Sequence, residues 1–186
     1  MRNAGCITEQ ELELRNKMRS LWEQHIAWTR MSIISIVEGL GDVDYVIARL
    51  LRNPKDFAVV FEIFYGEEKA KEFEELFTQH LVIAAQLVNA AKAQDNEGVK
   101  DAEERWYTNA DDIAKFLHSL NPYWSEEDFR HMLHEHLALT ECEAIALLTK
   151  DYEKSILLFD KIEDQALTMA DAFSDGIVKQ FPAKFM

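Results

Sequence analysis

Glycine and proline are scarce, at 6 and 3 of 186 residues. That argues against sandwiches, barrels and glycine-loop nucleotide folds, which need many tight turns. No Gly-x-x-x-x-Gly-Lys-Ser/Thr, Gly-x-Gly-x-x-Gly or Gly-x-Ser-x-Gly stretch occurs. The two cysteines, Cys6 and Cys142, are far apart and form no CxxC pair, so neither a disulfide framework nor a zinc ribbon is expected. Apolar runs are short, and Ile33 to Val37 is already interrupted by Ser35. None approaches the roughly 20 apolar residues of a membrane span. Met1 to Gln10 has one arginine and no apolar centre, so no signal peptide is expected. Residues 1–7 read as disordered. Basic side chains are in deficit, 20 Lys and Arg against 34 Asp and Glu, for a net charge of −14. Such a chain repels phosphate backbones and anionic headgroups. These features predict a reduced, cytoplasmic protein that binds neither nucleic acid nor membrane.

What is present is a helical pattern over nearly the whole length. Apolar residues form 48% of the chain and recur at three- and four-residue spacing, with no sustained alternation that would mark a strand. Thr8 to Val37 reads as one long helix stopped by Gly39-Leu40-Gly41. Asp42 to Arg52 is a second helix, with a fresh start at Asn53-Pro54-Lys55-Asp56: Asn as N-cap, Pro at the first position, a carboxylate in the first turn. Glu67 to Ala93, Val99 to Leu120, Ser125 to Thr149 and Asp151 to Phe181 complete the set, with Gln94 to Gly98 as a turn. The expected fold is all-α: one domain over 1–186, an up-down bundle of about six helices in three hairpins.

The hairpins read as internal repeats over about 20–65, 75–120 and 131–176. His25, His80 and His136 fall at equivalent positions, 55 and then 56 residues apart. In the first hairpin His25 lies 16 residues before Gly41 and Asp56 lies 15 after it; in the second, His80 lies 16 before Asn96 and Asp112 lies 16 after. Antiparallel helices rise equally per residue, so a histidine and a carboxylate reach the same height twice. The third hairpin has Gln165 and Thr168 there instead. Imidazole and carboxylate on facing helices suit a divalent metal such as Fe, Mn or Zn. The same residues also read as paired buried groups that fix helix register. His131-Met-Leu-His134-Glu-His136 is histidine-rich, but it is not His-Glu-x-x-His and reads as a helix face. Arg30, Arg49, Arg52 and Lys55 lie in the first unit; Arg49 and Arg52, with Asn53 at the following helix start, form a candidate pocket for a small anionic ligand or cofactor, and the same side chains also read as ordinary ion pairs with the surplus Asp and Glu. Trp22, Trp28, Trp106-Tyr107 and Tyr123-Trp124 read as packing anchors. The runs Glu103-Glu104, Asp111-Asp112 and Glu126 to Asp128 read as solvated faces or helix starts.

Certain phrases carry a resemblance: Leu21-Trp22-Glu23-Gln24-His25 with Trp28-Thr29-Arg30, Leu50 to Phe57, His80 to Ala85, Asn121-Pro122-Tyr123-Trp124 and Glu135-His136-Leu137. Over about residues 20 to 182 the chain resembles a group of small, uncharacterised all-helical bacterial proteins, mostly from Firmicutes, some of which are labelled acetylglutamate kinase. The resemblance implies a helical bundle. It does not carry that activity, because such kinases are α/β sandwiches with glycine-rich phosphate loops. A loose similarity to ferritin-like bundles is present too, without their Glu-x-x-His ligand motif. The functional expectation is a binding protein with a His/carboxylate site for a metal or small anion between helices. The alternatives are a homodimeric interaction module and a metal-dependent enzyme.

Overall fold

The computed structural model describes residues 7–186, so the expectation for residues 1–6, and Cys6 with them, lies outside the described residues. The six expected helical segments are present, the second in two pieces. The helices are α1 (Glu9–Glu38), α2 (Val43–Leu50), α3 (Asn53–Tyr65), α4 (Glu67–Lys92), α5 (Asn96–Leu120), α6 (Glu126–Leu148) and α7 (Tyr152–Gln180). A 3-10 turn, Pro182–Phe185, follows, and the described residues contain no strand.

Local sequence sets most of the boundaries. The Thr8 hydroxyl accepts from the Glu11 amide, and the Ser125 hydroxyl accepts from the Asp128 amide. Gly39 ends α1 with φ at 67°, a left-handed conformation that a side chain disfavours. The Asp95 carboxylate accepts from the Gly98 amide, so α5 begins at Asn96 rather than Val99.

Contacts fix the helix directions. On the α3–α4 pair, Phe61 stacks on Phe73 at 4.1 Å and Phe57 meets Phe77 at 5.3 Å, an antiparallel pairing. Arg15 reaches Asp175 and Arg19 reaches Asp171, so α1 and α7 are also antiparallel. Trp22 faces both Phe77 and His136, Lys92 reaches the Ile36 carbonyl, and Arg30 pairs with Glu143. Thus α1, α4 and α6 run the same way and meet at the centre. The return helices α3, α5 and α7 each pack between two of them, and α7 closes the ring against α1.

The core is aromatic at one end, with Trp22, Phe57, Phe61, Phe73, Trp124 and Phe173 in contact. At the other end a smaller aliphatic cluster joins Ile33, Ile36, Val88, Ala144 and Leu147. Gly176 lets the buried Trp124 ring lie directly on α7: a Cβ there would fall 2.0 Å from the indole nitrogen. That nitrogen reaches the Ala172 and Phe173 carbonyls, each at 3.3 Å. No described helix is long and apolar enough to cross a membrane.

Candidate functional site

The three repeat histidines are buried, 1–3% exposed, at one level of the parallel helices α1, α4 and α6. The His25 and His136 rings are 5.5 Å apart, and Phe77 packs against both His25 and His80. Their partners are amides, not carboxylates. His80 Nδ1 lies 2.9 Å from Asn109 Oδ1, and Asn109 Nδ2 donates to the Leu76 carbonyl at 3.1 Å. His136 Nδ1 lies 3.2 Å from Gln165 Oε1, and Gln165 Nε2 donates to the Met132 carbonyl at 2.7 Å. Because each amide nitrogen is committed to a carbonyl, its oxygen must accept, so Nδ1 of each imidazole carries the proton. In the first hairpin Asn53 Nδ2 donates to the Leu21 carbonyl at 3.0 Å. His25 Nδ1 and Asn53 Oδ1 are both without a partner there. His25 and Asn53 are 28 residues apart, against 29 for the other two pairs.

Burial holds all three imidazoles neutral. His80 is pushed down to about 3 and His136 to about 4, and His25 lies well below the usual histidine range. The neighbouring rings add to this, since a charge on one opposes a charge on the next: His136 acts on both others.

The expected carboxylates are elsewhere. Asp56 is partly exposed and pairs with Arg52 at 3.2 Å, and Asp112 is exposed. Both sit three residues past the amide that meets the histidine, one helical turn further along and on the solvent side. Among the described residues no group of three or more His, Cys, Asp or Glu side chains is placed to hold a metal ion. The arginine pocket does not assemble either. Asn53 is not an N-cap but the first residue of α3, and its buried side chain points at α1. Arg49 lies 5.0 Å over the Trp28 ring and donates to Gln24, while Arg52 is engaged by Asp56. His134 bonds Asp111 at 2.8 Å at the surface, His131 is exposed, and so is Cys142.

Two features go beyond the sequence reading, which gave Arg30 ion pairing but neither its partner nor its burial. The first is a buried ion pair: Glu143, 1% exposed, meets Arg30, which also reaches the Ser155 carbonyl and lies over the Phe159 ring. The second is a cavity of about 220 Å³ at the aliphatic end, between α1, α2, α4, α5 and α6. Its wall is mainly apolar, with Ile33, Ile36, Ile47, Leu81 and Ala144. Polar side chains interrupt it, Thr29, Trp106 and Glu141 among them. Thr29 Oγ1, Trp106 Nε1 and Glu141 Oε1 are all buried atoms without a hydrogen-bond partner. Burial and the nearby Glu103 push Glu141 up to about 7. A second cavity of about 160 Å³ shares Leu87, Val88, Glu141 and Ala144 with the first and is also lined by Glu103.

Trp106 was legible as an aromatic anchor. Thr29 and Glu141 gave no signal, because an isolated Thr or Glu on a helix looks like any other surface position. No family model, curated protein or solved structure matches the chain.

Proposed function

We propose that this protein is a cytoplasmic small-ligand-binding helical bundle whose site is the cavity bounded by Thr29, Trp106 and Glu141. One observation carries the reading: three residues that line one apolar cavity each carry a buried polar atom without a partner. Each such atom costs about 1–3 kcal/mol unless something bonds to it. An apolar pocket with a few convergent polar groups and a perturbed carboxylate is the usual form of a small-molecule site. At about 220 Å³ it suits a fragment-sized ligand. The histidines serve this site at a distance, by locking the three parallel helices in register below it. The histidine–amide–carbonyl arrangement of the second and third hairpins, with His25 and Asn53 at corresponding positions of the first, supports descent of the three hairpins from one unit.

The test is binding of small neutral aromatics such as indole by calorimetry, alongside elemental analysis of the untagged protein. Saturable binding abolished by Ala85→Phe, which fills the cavity from its partly exposed wall, is the expected result. Stoichiometric Fe, Mn or Zn without organic binding would return the function to a metal.

A homodimeric module is the second reading. It is favoured by Ile145, Tyr152, Ile156 and Leu157, all more than half exposed around the α6–α7 turn. Sedimentation would then give a dimer that Ile156→Glu dissociates.

A further inference from the structure

The ligand chemistry can be narrowed from the charges around the cavity. No Lys, Arg or His side chain lines either the larger cavity or its neighbour among the described residues. Among the described residues the charged groups in their walls are Glu141, shared by both, and Glu103 in the second. An anionic ligand entering here would meet like charge in a low-dielectric wall with no cation to compensate it. Glu141 Oε1 has no partner, and a buried carboxylate oxygen is the strongest acceptor a protein offers to a charged donor. The second independent group is Trp106, 3% exposed, which lines the same cavity and whose Nε1 donor is also unpartnered. A donor-only group asks the ligand for an acceptor.

Resting on the cavity reading above, we propose that the cavity takes a small apolar amine. Its ammonium group sits on Glu141 beside Glu103, its hydrocarbon body fills the space between α1, α4 and α6, and an acceptor, where present, meets the Trp106 N–H. The amine proton stays on nitrogen throughout, so the process is binding without a chemical step. Glu141 lies near pH 7 through burial and Glu103. A bound cation therefore also draws the carboxylate into its ionised form, and amine binding releases a proton in part of the molecules at neutral pH.

The experiment compares three probes of one shape on the full chain by calorimetry at pH 7.5 and low salt: 2-phenylethylamine, 2-phenylethanol and 3-phenylpropionate. The amine should bind at least tenfold more tightly than the alcohol, and the carboxylate more weakly than the alcohol. Glu141→Gln should cut the amine's advantage to less than threefold while leaving the alcohol's affinity in place. If alcohol and amine bind equally, or the preference survives Glu141→Gln, the amine assignment falls while the cavity stands as a site. If none of the three binds, or Ala85→Phe leaves alcohol binding intact, the cavity reading falls and this inference with it. Circular dichroism of each variant separates lost binding from lost fold, and Glu141→Asp serves as a second charge-preserving variant that should keep the amine preference.

Discussion

Asn109 Oδ1 lies 2.9 Å from His80 Nδ1 while the same amide donates to the Leu76 carbonyl, one turn before His80 on α4. One side chain of α5 thereby fixes both the height and the rotation of α4. Gln165 does the same between α7 and α6, with one more methylene to span.

These clamps should differ measurably in strength. Asn109→Ala removes both bonds and strands a buried imidazole N–H, so a loss of about 2–3 kcal/mol is expected. Asn53→Ala removes only the bond to Leu21, since His25 Nδ1 is already unpaired, and should cost about 1 kcal/mol. Urea unfolding of the two variants checks the order; equal losses would mean that the first hairpin closes its clamp in solution.

Acid should destabilise the fold through the histidines. Their folded-state values lie below the unfolded value near 6.5, at about 3 for His80 and about 4 for His136. Well above pH 6.5 these histidines are neutral in both states and contribute no pH dependence. Below it the unfolded chain takes up protons that the folded chain refuses, so stability falls toward acid, by about 1.4 kcal/mol per pH unit per histidine. Glu141 works in the opposite sense: its folded value is raised to about 7, so it adds stability as pH falls toward its unfolded value near 4.5. Glu23 and Glu143, also raised, act in the same direction as Glu141. Between pH 6.5 and 5 the three histidines should still prevail, with a falling urea midpoint. Glu141→Gln should steepen the fall and His80→Leu should flatten it. A midpoint constant over that range would contradict the neutral buried set.

The Arg30–Glu143 pair predicts an asymmetry between single and double variants. Arg30→Met leaves a buried carboxylate uncompensated and should cost about 3–5 kcal/mol. Adding Glu143→Leu should restore most of that, because two apolar groups replace two desolvated charges. A double variant as unstable as Arg30→Met would instead assign the loss to Arg30 packing on Phe159.

Gly176→Ala should cost at least about 1–3 kcal/mol by overpacking, although alanine favours helix elsewhere. Its Cβ would overlap the Trp124 indole, whose nitrogen is held by the α7 carbonyls. Thermal unfolding and the Trp124 fluorescence report the displacement together.

Most helix boundaries were legible because caps act within one turn: Thr8, Gly39 and Ser125 work on neighbours three or four residues away, whereas Asp95, read as part of a turn, caps α5 three residues earlier than expected. The histidines were legible as a recurring position. Their partners were misread by one helical turn. Equal height placed Asp56 and Asp112 level with His25 and His80, but height does not fix which face a side chain takes. The amides at 53 and 109 face inward on the helices that carry those carboxylates, as Gln165 does on α7. The spacing alone cannot distinguish the two, as both lie within a turn of the same level.

Sequence alone determined that this chain is a helical bundle of about six segments, because period and capping are local properties. It also placed one histidine, His25, His80 or His136, at a similar height on each outgoing helix, and the structure finds all three buried. Only the tertiary structure decided that Asn109 and Gln165 hold those histidines, that Glu143 lies buried on Arg30, and that Thr29, Trp106 and Glu141 border one cavity. Those relationships join residues 29 to 113 positions apart, and their geometry depends on how α1, α4 and α6 rotate about their own axes. That rotation is set by the packing of all the helices at once.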